Sequence, residues 1–249
     1  MRRPPSEGNM AEILSGSGIN KTFGSFPVLK DVSFTLSEGE ALGIVGPNGA
    51  GKTTLFSVVA GSLVPSSGTV MFSGADVTKA DAASRCRAGI GRTHQVPRPF
   101  LGMSVFENAL VAAQHGSGRV GEEAGNLAAE ALERSGLLQF ANRPAATLGL
   151  LDRKRLELAR ALATGPKVLL LDEIGGGLTE AELGILVSLI SGLKSSGITI
   201  VWIEHILHAL LKVIDRLICM NAGQVIAEGD PRAVMADRAV VGAYLGGVQ

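Results

Sequence analysis

Between residues 46 and 54 the chain reads Gly46-Pro47-Asn48-Gly49-Ala50-Gly51-Lys52-Thr53-Thr54, the spacing GxxxxGK[ST]. It follows the strand-like run Ala41 to Val45 and precedes the helix-like run Leu55 to Ala60, so it sits where a strand turns into a helix. Each residue type in it suits a phosphate chain. Gly49 and Gly51 let successive backbone N–H groups turn inward around oxygens, and the helix N-terminus adds partial positive charge. Lys52 brings a full charge to β- and γ-phosphates, and the Thr53 hydroxyl is a hard oxygen ligand of the kind Mg2+ accepts beside phosphates and water.

A second cluster follows Lys167. The run Val168-Leu169-Leu170-Leu171 suits a strand buried on both faces, and it ends in Asp172-Glu173. In a parallel sheet such a strand end falls on the same edge as the phosphate loop. Beside a nucleotide, Asp172 can hold the metal through water. Glu173 can align an attacking water and take its proton, because phosphoryl transfer is mainly positioning and charge stabilisation. The strand-like run Ile198 to Ile203 ends similarly, in Glu204-His205. An imidazole there can bond a γ-phosphate and report its presence, or simply be structural. Gly89 to Gln95 reads as a short strand ending in an amide side chain. Phe23, at a turn in Lys21-Thr22-Phe23-Gly24, can stack on an adenine or serve only in packing. His94, His115 and His208 have no such placement, and Trp202 reads as core.

The elements that must position these groups alternate. Ile13 to Leu36 reads as antiparallel strands, with another pair around Gly68 to Phe72. Between Val96 and Leu162 the texture is helical, with Ser104 capping a helix through Glu107 and a capping pattern near Glu122 and Glu123. Strand and helix then resume: Val168 to Leu171, a helix from about Glu180 to Lys194, and Ile198 to Ile203. The 249 residues fit one large α/β domain with an inserted subdomain. Residues 1–10, polar and rich in Pro and Gly, read as a disordered tail.

Composition excludes several classes of function. Lys+Arg and Asp+Glu number 23 each, so no overall basic field exists to hold nucleic acid. The two cysteines, Cys86 and Cys219, are far apart and form neither a disulfide framework nor a zinc motif. No run approaches the ~18 apolar residues of a spanning helix, and the first residues lack the apolar core of a signal peptide. The expectation is a soluble protein, or one attached to a membrane only through a partner.

Taken in order, GPNGAGKTT, Gln95, a helical segment ending in Leu148 to Asp152 and Arg153 to Leu162, then LLLDE and His205, resemble the ATP-binding subunit of ABC transporters. The resemblance covers about residues 11 to 246. Gly89-Ile90-Gly91-Arg92-Thr93 before Gln95, and the ending Gly229-Asp230-Pro231 through Ala243-Tyr244-Leu245-Gly246, look like the branched-chain amino-acid uptake subfamily. It implies an α/β fold: a P-loop NTPase core of the RecA-like type (11–95 and 163–249), an antiparallel β subdomain and a helical subdomain at 96–162. It also implies roles. Phe23 would stack on adenine; Asn48, Gly49, Ala50, Gly51, Lys52, Thr53 and Thr54 would hold the phosphates of ATP. Thr53, Gln95 and Asp172 would serve Mg2+, Glu173 would be the base, and His205 the γ-phosphate switch.

Members of the family work as two such subunits head to tail, each ATP being closed by the other subunit's LSGGQ signature. Here the aligned residues are Leu148-Gly149-Leu150-Leu151-Asp152, without the serine hydroxyl, both glycines or the glutamine. Gly175-Gly176-Gly177-Leu178-Thr179 stands where the family often has a loop ending in Asp. The resemblance thus implies a peripheral protein on the cytoplasmic face of the inner membrane, bound to two permease subunits. Its second ATPase subunit would differ from it, and a periplasmic solute-binding protein would act indirectly. Two alternatives remain open: a module that senses ATP with little turnover, and a soluble ABC ATPase outside transport.

Overall fold

The computed structural model describes residues 11–245. Strands β1 (Glu12–Phe23) and β2 (Phe26–Ser37) form a long hairpin. With β4 (Ser67–Phe72) and β5 (Ala75–Asp76) they make an antiparallel sheet in the order β2-β1-β4-β5. Period-two patterning explains its one-sided burial: Val32, Phe34 and Leu36 are buried while Asp31, Ser33 and Thr35 are exposed.

A second sheet runs β10-β9-β3-β8-β7-β6. Its members are β3 (Ala41–Val45), β6 (Ile90–Arg92), β7 (Val168–Asp172), β8 (Thr199–Ile203), β9 (Arg216–Asn221) and β10 (Gln224–Gly229). Only β10 is antiparallel to its neighbour. Strands β3, β7 and β8 are buried along their whole length, as their uninterrupted apolar runs require. Alternate residues enter two different cores. Val168 and Leu170 join the cluster that holds the antiparallel sheet and helix α1 (Lys52–Val59), whereas Leu169 and Leu171 face the other helices.

That second cluster contains α3 (Val105–Ala112), α4 (Gly121–Arg134), α5 (Leu150–Ala163) and α6 (Glu180–Ser195). Short helices α2 (Ala82–Ala88), α7 (Leu207–Leu210), α8 (Pro231–Ala236) and α9 (Arg238–Leu245) complete the described chain. Ser104 and Glu107 close the expected capping box on α3, and Thr179 and Glu182 close another on α6. The pattern at Glu122 and Glu123 turns out otherwise. Val120 is the N-cap of α4 and offers no side-chain bond, so the two carboxylates act only as first-turn charges on the helix dipole. The tail at 1–10 and Gly246 lie outside the described residues.

One consequence of the strand order positions everything below. β3, β8, β7 and β6 are consecutive and parallel, so the loops that leave them emerge side by side at one edge.

Candidate active site

The loop after β3 turns at Gly46, where φ is 147° and a Cβ would collide with the Met220 carbonyl oxygen. Its far end, Gly51, is the left-handed N-cap of α1, with φ 97°. Gly223 braces the loop from behind: its N–H donates to the Ala50 carbonyl at 3.2 Å, and its own carbonyl accepts from Lys30 N–H at 2.8 Å. Lys52 is 5% exposed and folds back to donate to the Gly46 and Pro47 carbonyls at 2.7 and 3.0 Å. Burial pushes its ammonium below the ordinary lysine range; Glu173, Cys219 and Asp172 pull it back up. Thr53 is exposed at the mouth.

Loops from the other strands converge on Glu173. Its N–H donates to the Ile203 carbonyl at 2.9 Å, and its backbone is left-handed, with φ 47°. Gln95 Nε2 donates to Glu173 Oε2 at 2.5 Å, and His205 Nε2 lies 2.6 Å from Oε1. Three side chains from the loops that follow β6, β7 and β8 are thereby joined. Glu173 also lines a cavity of about 190 Å3 with Val28 and all of Asn48, Gly49, Ala50, Gly51, Lys52, Thr53 and Thr54. Glu173 therefore shares this space with the glycine-rich loop, Lys52 and Thr53, the residue types that suit a phosphate chain.

Asp172 is arranged differently from the simple expectation of a water-held metal ligand. Arg92 donates to its Oδ2 at 2.9 Å, and both side chains are largely buried. Arg92 also reaches Ser57 Oγ at 3.4 Å, which fixes the guanidinium between α1 and β7. The other oxygen, Oδ1, is buried with no hydrogen-bond partner. An acceptor in that condition suits a donor that arrives with the nucleotide, such as water bound to Mg2+. Gln95 spends its amide nitrogen on Glu173 and keeps its carbonyl oxygen for a cation. Thr53, which lines the cavity, and Gln95 and Asp172, which do not, are the residues that would hold a Mg2+, Asp172 through water.

Phe23 ends β1 and is half exposed, with the Lys21 ammonium 5.3 Å from its ring centroid. It is not among the residues lining the phosphate cavity; Val28 of the next strand is. Phe26, paired with Phe23 across the turn and 70% exposed, was not singled out from sequence although its type and place offer the same stacking face. Arg92 was also missed, since only the pairing of β6 with β7 brings it to Asp172.

The aligned signature opens α5 with Gly149 as N-cap and without any side-chain cap bond. Leu148 is buried, Leu150 is exposed, and Asp152 pairs with Arg155 at 3.2 Å.

Similarity to known proteins identifies the family. The ABC transporter family description matches residues 29–175. A second, the branched-chain amino acid ATP-binding cassette transporter description, matches residues 224–248. The chain belongs to the ABC transporter family as an ATP-binding subunit. It is accordingly an ATPase of that family. It is 36% identical to the high-affinity branched-chain amino acid transport ATP-binding protein LivG of Escherichia coli strain K12, covering 94% of this chain and 98% of the relative. The corresponding protein BraF of Pseudomonas aeruginosa is 34% identical with the same coverage. Among solved structures, the ADP conformation of the ABC transporter cassette MJ1267 matches with a TM-score of 0.86 and 34% identity, covering 95% of this chain and 100% of that one. Among the described residues no helix of the ABC subunit is long and apolar enough to cross a membrane.

Proposed function

We propose that this subunit hydrolyses ATP with Glu173 as base and drives uptake of branched-chain or related small amino acids through two permease subunits. The observation that carries the chemistry is the placement of Glu173 between Gln95 and His205, facing the phosphate loop. The solute class rests on the relatives named above and on the match of the C-terminal segment.

With ATP on the loop, Lys52 exchanges the Gly46 and Pro47 carbonyls for β- and γ-phosphate oxygens, a stronger pairing because both partners are charged. His205 turns from Glu173 to the γ-phosphate, which frees Oε1. A water held by that oxygen attacks the γ-phosphorus; the bond to the β-phosphate bridging oxygen breaks, and the water's proton passes to Glu173. Mg2+ held near Thr53, Gln95 and Asp172 would neutralise charge that builds on the leaving phosphate. The partner chain's signature closes the site. Because this chain's own signature lacks the serine hydroxyl, a heterodimer with a related but different ATPase subunit is the favoured assembly. That complex sits on the cytoplasmic face of the membrane, and a periplasmic solute-binding protein delivers the solute.

Glu173→Gln tests the central role. Gln keeps the shape, and its carbonyl can still accept from Gln95, but it cannot take a proton, so ATP binds while single-turnover hydrolysis falls by ~10²- to 10⁴-fold. Hydrolysis within a few-fold of the parent would remove Glu173 from the role. An ATP-sensing module with little turnover would instead show a parent already as slow as the variant.

A further inference from the structure

Glu204 precedes the switch histidine in sequence and is 2% exposed. A buried carboxylate must be fully satisfied to be tolerated, and each of its oxygens is engaged. Oε2 accepts from Gly175 N–H at 2.9 Å, in the loop that leaves Glu173. Oε1 accepts from His205 N–H at 2.9 Å and from Ile206 N–H at 3.4 Å. Lys154 on α5 is 4% exposed; burial pushes its ammonium below the ordinary lysine range, and attraction to Glu204 opposes that only in part.

The fit around Gly175 is close: a Cβ there would lie 2.8 Å from Glu204 Oε2 and 3.1 Å from a Leu183 methyl. Together with Glu173 N–H on the Ile203 carbonyl, the bond from Gly175 fastens both ends of a three-residue segment to the end of β8. The 2.6 Å contact between His205 and Glu173 stands directly above this double fastening.

We propose that Glu204 is a positioning residue for ATP hydrolysis. It fixes the base relative to the switch histidine by tying the loop of Glu173 and the turn of His205 to one buried carboxylate. The inference rests on Glu173 being the base. Glu204 touches no part of the phosphate cavity, so its effect falls on the chemical step and not on nucleotide binding.

The test uses the transporter complex purified through a tag on this chain. In Glu204→Gln the amide can accept one N–H but presents its own NH2 to the other, so single-turnover hydrolysis is expected to fall about tenfold to a hundredfold. ATP affinity stays within about twofold of the parent. Losing the charge also removes the attraction that opposes the burial of Lys154, so Tm drops. Adding Lys154→Met removes that burden, and K154M/E204Q is expected to regain Tm while hydrolysis stays low. Gly175→Ala, which pushes on the same carboxylate oxygen from the other side, should reproduce the loss. A parent-like rate in E204Q overturns the proposal, and so does a rate in K154M/E204Q that recovers together with Tm. If E204Q alone does not fold, the double variant and G175A carry the same reading. Failure of the underlying assignment looks different: the parent would then hydrolyse ATP no faster than E173Q.

Discussion

Lys52 holds the two carbonyls of its own loop until a better partner comes, which makes it both a structural brace and the binding charge. Lys52→Ala is therefore expected to weaken Mg·ATP binding severely. Calorimetry showing unchanged affinity would refute the assignment, while a cooperative unfolding transition would show that the loop had survived. Arg92 carries a heavier structural burden. Its removal as Arg92→Met leaves Asp172 as a buried, unpaired charge, a change that destabilises by about 3 kcal/mol or more. That corresponds to on the order of 10 °C in Tm for a domain of this size, measurable by thermal unfolding with and without Mg·ATP. The two residues also differ in how far sequence revealed them. Lys52 was legible from the GxxxxGK[ST] spacing around it, and Asp172, Glu173 and His205 because each ends or follows an apolar run that announces where the polar group emerges. Arg92 lies within its strand and carries no such signal, and Glu204, although it follows the same run as His205, reads as a solvated strand end until the bond from Gly175 shows what it faces. Gln95 had a place in the chain from its own context, but its role came only from the family's order of motifs.

Among the elements, the segment from Gln95 to Glu107 links the catalytic edge to the helical subdomain. Val96, Phe100, Leu101 and Met103 are exposed on it, more apolar surface than a solvated connection needs. Its backbone is nevertheless tied down. Buried Asn108 accepts from Phe100 N–H at 2.8 Å and donates to the Phe100 carbonyl at 3.0 Å. Arg160 of α5 donates to the Arg98 carbonyl at 2.8 Å and lies 5.1 Å from the Phe100 ring. A permease helix seated on those apolar side chains would move α5 and Gln95 together. Cysteines at Arg98 or Met103 are expected to cross-link to a permease subunit, and labelling there only by solvent reagents in the assembled complex would count against it. Asn108→Ala should loosen the tie at a cost of about 1 to 3 kcal/mol. Uptake by reconstituted vesicles should fall more than ATPase activity; an equal fall in both would mean the segment does not transmit motion. Sequence foretold the helices here because their periodicity is local. It misjudged the start of α4, since the acidic residues that suggested a cap lie inside the first turn, after the apolar N-cap Val120.

At the scale of the whole molecule the question is which surface closes the second subunit's ATP. Helix α5 still offers its N-terminal N–H groups, but Gly149 contributes no side chain there and the exposed Leu150 puts a branched apolar side chain where the signature has a glycine. Losing a hydrogen bond to a charged group is worth about 1.5 to 3 kcal/mol. A pair made of two copies of this chain would lose it twice, which weakens association by roughly 10² to 10⁴ at 1.4 kcal/mol per decade. A partner with an intact signature loses it once. Sedimentation of Glu173→Gln with ATP is expected to show mainly monomer at low micromolar concentration, and a stable homodimer there would refute the heterodimer. The cause can be isolated because a Cβ at Gly149 meets nothing within 4 Å, so Gly149→Ser adds the hydroxyl without disturbing its neighbours. At an N-cap, Gly and Ser differ by only a few tenths of a kcal/mol in helix stability. Folding should therefore barely change, and any tightening of ATP-dependent pairing in G149S/E173Q reports the hydroxyl acting on the partner's nucleotide. If that variant pairs no better than Glu173→Gln alone, the missing hydroxyl is not what keeps two copies of this chain apart.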